Sequence, residues 1–136
     1  MKIRKFKMAD YPGVTDLWQK CGLEVGRSDT RESLRLAHKR DPELFIVAED
    51  KGKIIGAVLG RWDGRRGWMN HLAVDPECRH KRLGSKLVVE LEQRLKAKGC
   101  EKMNLFIAPN NSRVQGFYEQ LGYSRDELIF MEKWLT

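Results

Sequence analysis

An apolar run, Leu72-Ala73-Val74, stops at Asp75-Pro76, and a short basic stretch, Glu77-Cys78-Arg79-His80-Lys81-Arg82, leads on to Leu83-Gly84-Ser85. The residues that follow place Leu83, Leu87, Val88, Leu91 and Leu95 on one helical face, with Lys86, Glu90, Arg94 and Lys98 opposite. A strand handed through a basic loop into a helix N-terminus restricts the fold more than any other feature of the chain. It requires a sheet with this helix against it. It also points unpaired helix N–H groups and the positive end of the macrodipole out past the strand end. Arg79, Lys81 and Arg82 add three cations at that point. The matching guest is an anion carrying several phosphates.

The rest of the sequence sets bounds. A chain of 136 residues fits one domain with a substantial core, so 1–136 is read as a single domain. No apolar run approaches the roughly 18 residues of a membrane span. The opening Met1-Lys2-Ile3-Arg4-Lys5-Phe6 lacks the apolar centre of a leader. The expectation is a cytoplasmic protein with no membrane partner, a monomer or a homodimer. Cys21, Cys78 and Cys100 are odd in number and form no C-x-x-C pair, so neither a disulfide framework nor a metal site is expected. The net charge of +7 attracts acidic ligands and, non-specifically, nucleic acid. Its basic runs, at 2–7, 61–66 and 79–82, carry no sustained interleaving of stacking aromatics, so no specific nucleic-acid partner is expected.

Pattern gives a coarse element order. Residues 2–7 read as a strand. A helix follows, with Pro12 in its first turn, Val14, Leu17, Trp18 and Cys21 on one face and Gly22 at its end. Ser28-Asp29 is expected to cap a second, charged helix. Strands at 44–49 and 54–62 flank a turn at 50–53, and a turn at 63–67 leads to a strand at 68–74. After the long helix, Gly99 gives a stop. A strand at 102–108, a short helix capped by Asn110 or Asn111, and a last strand at 128–135 complete the chain.

Two blocks carry a family resemblance. Val74-x-Pro76-x-x-Arg79-x-x-x-Leu83-Gly84-x-x-Leu87 resembles the acetyl-CoA-binding motif of the GCN5-related N-acetyltransferases (GNAT), written Q/R-x-x-G-x-G/A. Asn111-Ser112-Arg113-Val114-Gln115-Gly116-Phe117-Tyr118-Glu119-Gln120-Leu121-Gly122-Tyr123 resembles that family's N-x-x-A-x-x-F/L-Y-E-K-x-G-F. The likeness spans essentially the whole chain and is nearest to small bacterial RimI-like and YpeA-like members. It implies an α/β GNAT fold: a mixed, mostly antiparallel sheet flanked by helices in the order β-α-α-β-β-β-α-β-α-β. It also implies acetyl-CoA as co-substrate, a primary amine as acceptor, and direct acetyl transfer.

The resemblance assigns cofactor contacts to Leu72, Ala73, Val74, Arg79, His80, Lys81, Arg82, Leu83, Gly84, Ser85, Asn111 and Tyr118. Arg82 occupies a position where the family carries glycine, and His80 one where glycine is frequent. Arginine fits there with a negative φ, its side chain adding charge to the same site. Tyr118 is the expected acid for the departing thiolate, because a phenol with a pKa near about 10 is close to a thiol. On residues alone Tyr118 reads as a core aromatic, sharing a face with Val114, Phe117 and Leu121; the resemblance is what gives it the acid's role. The base is unassigned. The positions where the family carries Glu or His match Trp68 and Asn70, and alternation along the strand turns His71 away from the Asn70 face. Asp63 and Glu49 are alternatives, and Asn70 could hold a relay water. Arg61, Asp63 and Asn70, beside the turn before the cofactor strand, are candidate acceptor contacts; a cationic hairpin tip explains the two charged ones equally well. Two rival readings remain: a non-catalytic acyl-CoA-binding module on the same fold, and a basic nucleic-acid-binding domain.

Overall fold

The computed structural model describes residues 1–136, with the side chains of His80 and Lys81 outside the described set. The chain divides into two compact units, Met1–Phe106 and Ile107–Thr136.

The first unit is built on a five-stranded sheet of β1 (Lys2–Lys5), β2 (Phe45–Asp50), β3 (Lys53–Trp62), β4 (Gly67–Val74) and β5 (Met103–Leu105), in the spatial order β1-β2-β3-β4-β5. The first three pairings are antiparallel and β4–β5 is parallel. Three helices belong to this unit: α1 (Tyr11–Lys20), α2 (Arg31–Arg40) and α3 (Leu83–Ala97). One face of the sheet is covered by α1 and α2. Val14, Leu17 and Trp18 of α1 and Leu34 of α2 join Phe45, Val47, Ala57, Leu59 and Ala73 in a single apolar cluster. The Phe45 ring stacks on Phe6 with centroids 4.0 Å apart.

The opposite face receives α3, and three glycines determine how closely. A Cβ on Gly56 would stand 2.9 Å from Leu87 Cδ1, and one on Gly67 would stand 2.9 Å from both Leu95 Cδ1 and Cys100 Sγ. A Cβ on Gly60 would collide with Leu91 Cδ1 and approach the Leu44 carbonyl oxygen to 3.1 Å. The fully buried Leu83, Leu87, Leu91 and Leu95 therefore lie directly on the backbone of β3 and β4.

Two irregularities shape β4. Leu59 pairs with Asn70 and Ala57 with Ala73, so β4 holds one residue more than β3 across this interval. The extra residue bends the chain at His71, whose φ of 50° is left-handed. In addition, the β4–β5 ladder runs only from Gly67↔Met103 to Met69↔Leu105, while β4 continues to Val74. Beyond Met69, among the described residues, one edge of β4 has no strand beside it.

The second unit contains a 3-10 turn over Pro109–Val114, kinked at Asn111 (φ −121°, ψ 22°), and α4 (Gln115–Gln120). The Cys21 end of α1 falls beside the expected Gly22, but several boundaries differ. The cap of α2 is Thr30, whose side chain accepts the Ser33 N–H, rather than Ser28 or Asp29. No side-chain cap from Asn110 or Asn111 is formed. The strand expected over 102–108 is limited to Met103–Leu105. The strand expected over 128–135 is not formed, and Leu128, Ile129, Met131 and Leu135 stand exposed. Alternation qualifies a segment to be a strand; only a ladder partner makes it one.

Candidate active site

The free edge of β4 runs through Asn70, Leu72, Ala73 and Val74 and ends at a loop anchored by Asp75. The Asp75 carboxylate is almost wholly buried. Its Oδ1 accepts the Glu77 N–H at 3.0 Å, and its Oδ2 meets Lys20 Nζ at 2.9 Å and Lys53 Nζ at 3.4 Å. The Glu77 N–H and then the Lys20 ammonium hold its carboxyl down at about 2. A 3-10 turn over Pro76–Lys81 starts from this cap. The Asp-Pro step at 75–76 suits this use, since a side-chain cap precedes a proline that has no N–H to satisfy.

Arg79 is tethered at one point, its Nε donating to the Val74 carbonyl at 3.2 Å, so its two Nη groups remain available at the surface. The expected contributions of His80 and Lys81 concern side chains outside the described set. Arg82 is exposed and caps α3 with φ 56° and ψ 27°. This overturns the negative φ expected for a non-glycine residue here. The turn into α3 demands the left-handed conformation, and the arginine adopts it despite its Cβ. The Lys86 N–H bonds the Arg82 carbonyl at 3.2 Å, and among the described residues the Leu83, Gly84 and Ser85 N–H groups ahead of it have no helical acceptor. The first turn of α3 carries no acidic residue. Strand edge, exposed guanidinium and open helix start together form a surface for an extended, phosphate-bearing ligand.

On the α1 face, Arg61 donates Nε and Nη2 to Asn70 Oδ1 at 3.1 and 2.7 Å, so these two candidate residues are joined and the Asn70 oxygen is occupied. The Trp68 and Phe106 rings lie beside them, centroids 5.4 Å apart. Asp63 is committed to the hairpin. Its Oδ1 accepts the Arg65 and Arg66 N–H groups at 2.8 and 2.7 Å, and its Oδ2 accepts Trp68 Nε1 at 3.2 Å. The Arg66 and Arg65 N–H groups lower its carboxyl below the usual range. A carboxylate used in this way is a poor proton acceptor, and Glu49 is likewise taken up by Arg4.

His71 is where strand alternation fails. Its ring packs 4.7 Å from that of Trp18, and its Nε2 lies 3.2 Å from Asp29 Oδ1. The extra residue in β4 breaks the period of two, so His71 shares the α1 face with Asn70 rather than opposing it. Nothing in the residue types announces a bulge at this point, and so the pair with Asp29, 42 positions away, was not legible in the sequence.

Asn111 and Tyr118 belong to the second unit. The Asn111 N–H donates to the Ala108 carbonyl at 2.8 Å. Tyr118 meets Phe117 and Tyr123 edge-on, with centroids at 5.0 and 5.7 Å, and burial pushes its phenol up to about 12. The hydroxyl therefore keeps its proton throughout the neutral range, more firmly than a free phenol.

Known proteins match this chain along its length. The profile of the acetyltransferase (GNAT) family matches residues 9–123. An acetyltransferase of Yersinia enterocolitica is 38% identical over 135 residues, spanning 99% of this chain and 96% of its own. Glucosamine-6-phosphate N-acetyltransferase of Arabidopsis thaliana superposes with a TM-score of 0.73 at 29% identity, covering 99% of this chain and 98% of that one. The PaiA N-acetyltransferase of Thermoplasma acidophilum, solved in complex with coenzyme A, gives a TM-score of 0.83 at 20% identity over 94% of this chain and 92% of its own.

Proposed function

Since the chain belongs to the GNAT acetyltransferase family and is an acyltransferase, we propose that it moves an acetyl group from acetyl-CoA directly to a primary amine. The observation that carries this reading is the unpaired edge of β4 running into the open N-terminus of α3. A pantetheine arm is an extended chain of amides and can pair with such an edge as a strand would. The diphosphate then falls at the Leu83, Gly84 and Ser85 N–H groups, with Arg79 and Arg82 supplying charge. The coenzyme A held by the PaiA enzyme on the same fold supports this choice of co-substrate. His80, Lys81 and Asn111 complete the proposed cofactor contacts.

In the transfer the amine nitrogen attacks the thioester carbonyl carbon, the new C–N bond forms and the C–S bond breaks. A backbone N–H from 72–74 polarises the carbonyl oxygen. The sulfur leaves with the electron pair and takes a proton from Tyr118, while the acylated nitrogen sheds its surplus proton to solvent and solvent returns one to the phenolate, giving free coenzyme A and the acetylated amine. A phenol at about 12 is a weaker acid than the sequence suggested. It suits hydrogen bonding to the developing thiolate, with proton transfer completed as C–S cleavage proceeds. Arg61 and Asn70 are the proposed acceptor contacts, and Asp63 acts by holding their hairpin. A cytoplasmic setting is consistent with the three unpaired thiols.

The test is a thermal shift with acetyl-CoA, followed by free-thiol release over a panel of primary amines. Acetyl-CoA should raise the melting temperature of the wild-type protein, and Arg79→Glu should abolish the rise while the apo protein stays folded. No shift at millimolar acetyl-CoA overturns the reading.

A further inference from the structure

We propose that His71, held by Asp29, is the base that accepts the proton of the incoming amine; this rests on the acetyltransferase reading above. A left-handed histidine inside a strand is strained backbone, so something must hold it. Both ends of the arrangement are fixed. Asp29 Oδ2 accepts the Gly26 N–H at 2.9 Å, and the Asp29 carbonyl accepts the Tyr11 hydroxyl at 3.3 Å. The imidazole is clamped between Asp29 Oδ1 and the buried Trp18 ring.

The pairing decides the tautomer. An ionised carboxylate only accepts, so Nε2 carries the hydrogen and Nδ1 keeps a lone pair in neutral His71. The two side chains are 26% and 15% exposed, so the ring is shielded yet still reached from solvent. Among the described residues the buried polar side-chain atoms left without a partner are Trp18 Nε1 and His38 Nδ1, and His71 Nδ1 is not one of them. His71 also directly precedes Leu72 on the free edge proposed to hold the pantetheine. A proton acceptor here stands one residue along β4 from the edge proposed to hold the thioester, between β4 and the segment preceding α2.

The step balances as follows. The substrate ammonium gives its proton to Nδ1. Its freed electron pair forms the C–N bond as the C–S pair departs to sulfur, which Tyr118 protonates; the acylated nitrogen sheds its second proton to solvent, from which the phenolate is restored. The resulting imidazolium faces the Asp29 carboxylate. The other charged or titratable groups nearby are occupied. Arg61 is bound to Asn70, Tyr11 to the Asp29 carbonyl, and the Arg31 guanidinium lies 4.8 Å from the Tyr11 ring centroid.

The experiment uses the full chain, with His71→Asn and Asp29→Asn. Asparagine tolerates the left-handed backbone, so folding should survive. The rate is followed against pH by coenzyme A release, with the best acceptor among glycinamide, ethanolamine, spermidine and lysine methyl ester. His71→Asn should lower kcat about 10²-fold, leave KM for acetyl-CoA unchanged, and lose the acidic limb of the pH profile. Asp29, a positioning residue, should on removal lower kcat with KM for acetyl-CoA unchanged and let the Nδ1–H tautomer of His71 appear in the ¹⁵N spectrum. In the free protein, ¹⁵N NMR should show the Nε2–H tautomer of His71. A His71→Asn variant with wild-type kcat and an intact limb overturns the assignment, as does an Nδ1–H tautomer. Wild-type protein with neither a thermal shift from acetyl-CoA nor turnover overturns the acetyltransferase reading and this proposal with it. A thermal shift with normal turnover, but loss of neither rate nor limb in the variant, overturns the base alone.

Discussion

Replacing Arg82 by glycine should make the free protein more stable and its grip on acetyl-CoA weaker. The two effects arise from different parts of the residue. The backbone of Arg82 stands at φ 56°, ψ 27°, where a residue bearing a Cβ loses about 1–2 kcal/mol. Glycine removes that strain but gains freedom in the unfolded chain, returning about 0.4–1 kcal/mol. The net gain is about 0.5–1 kcal/mol. For 136 residues at about 2.1 cal/mol/K each, the unfolding entropy is about 0.29 kcal/mol/K, so the melting temperature should rise by about 2–4 °C. Binding is another matter. Because the arginine already occupies the glycine-like conformation, a glycine brings the ligand no new backbone geometry. What is lost is an exposed cation beside the proposed phosphate site, worth about 0.2–1 kcal/mol, or up to about fivefold in Kd. Calorimetric titration with acetyl-CoA and a melting curve on the same preparation read both numbers. A lower melting temperature, or tighter binding, refutes the reasoning and shows that the free loop does not hold Arg82 in the left-handed region.

Four further outcomes can be checked. Tyr118→Phe should lower kcat by up to about 10²-fold with little change in KM for acetyl-CoA, and unchanged turnover where chemistry limits the rate removes the phenol from the mechanism. The same phenol, near 10 unfolded and about 12 folded, contributes stability that is complete below pH 10 and is lost as the pH rises towards 12; the wild-type minus Tyr118→Phe difference in stability should shrink over that window. Asp75 behaves in the opposite sense. Its folded value of about 2 lies below the ordinary 3.8, so its contribution is full above pH 3.8 and fades as the pH falls towards 2. Asp75→Asn should therefore be less stable at neutral pH and converge on the wild type in acid denaturation. Gly60→Ala, which drives a methyl into Leu91 and towards the Leu44 carbonyl, should destabilise by about 1–3 kcal/mol, measured by urea unfolding.

What could be read from the sequence was what periodicity and local chemistry encode. The buried leucines of α3, the hairpin turns and the basic entry to the helix each rest on side chains within a few positions of one another. The failures share the opposite character. Arg82 gives no hint of its φ, because glycine is the residue that signals a left-handed turn and arginine hides one. His71 was turned to the wrong face because a single inserted residue reverses alternation for everything after it, and the register that reveals the insertion resides in β3. The segment 128–135 has the alternation of a strand, but pairing is a property of two segments and cannot be read from one. Asp63 looked available as a reactive carboxylate, yet two N–H groups and an indole claim it.

The glycines beneath α3 tie the interior of the sheet to the ligand end of the helix. With a rise of about 1.5 Å per residue, Leu91 sits about 12 Å along the axis from Leu83, and the helix between them is stiff. It therefore acts as a lever pivoting on the bare backbone of Gly60. Any side chain that lifts Leu91 from the sheet tilts the rod and swings the Leu83, Gly84 and Ser85 N–H groups relative to the loop fixed by Asp75. A misfit in the deepest part of the protein would then be felt as misaimed hydrogen bonds at its surface. Variants of Gly60 that still fold should betray themselves first by a faster release of acetyl-CoA.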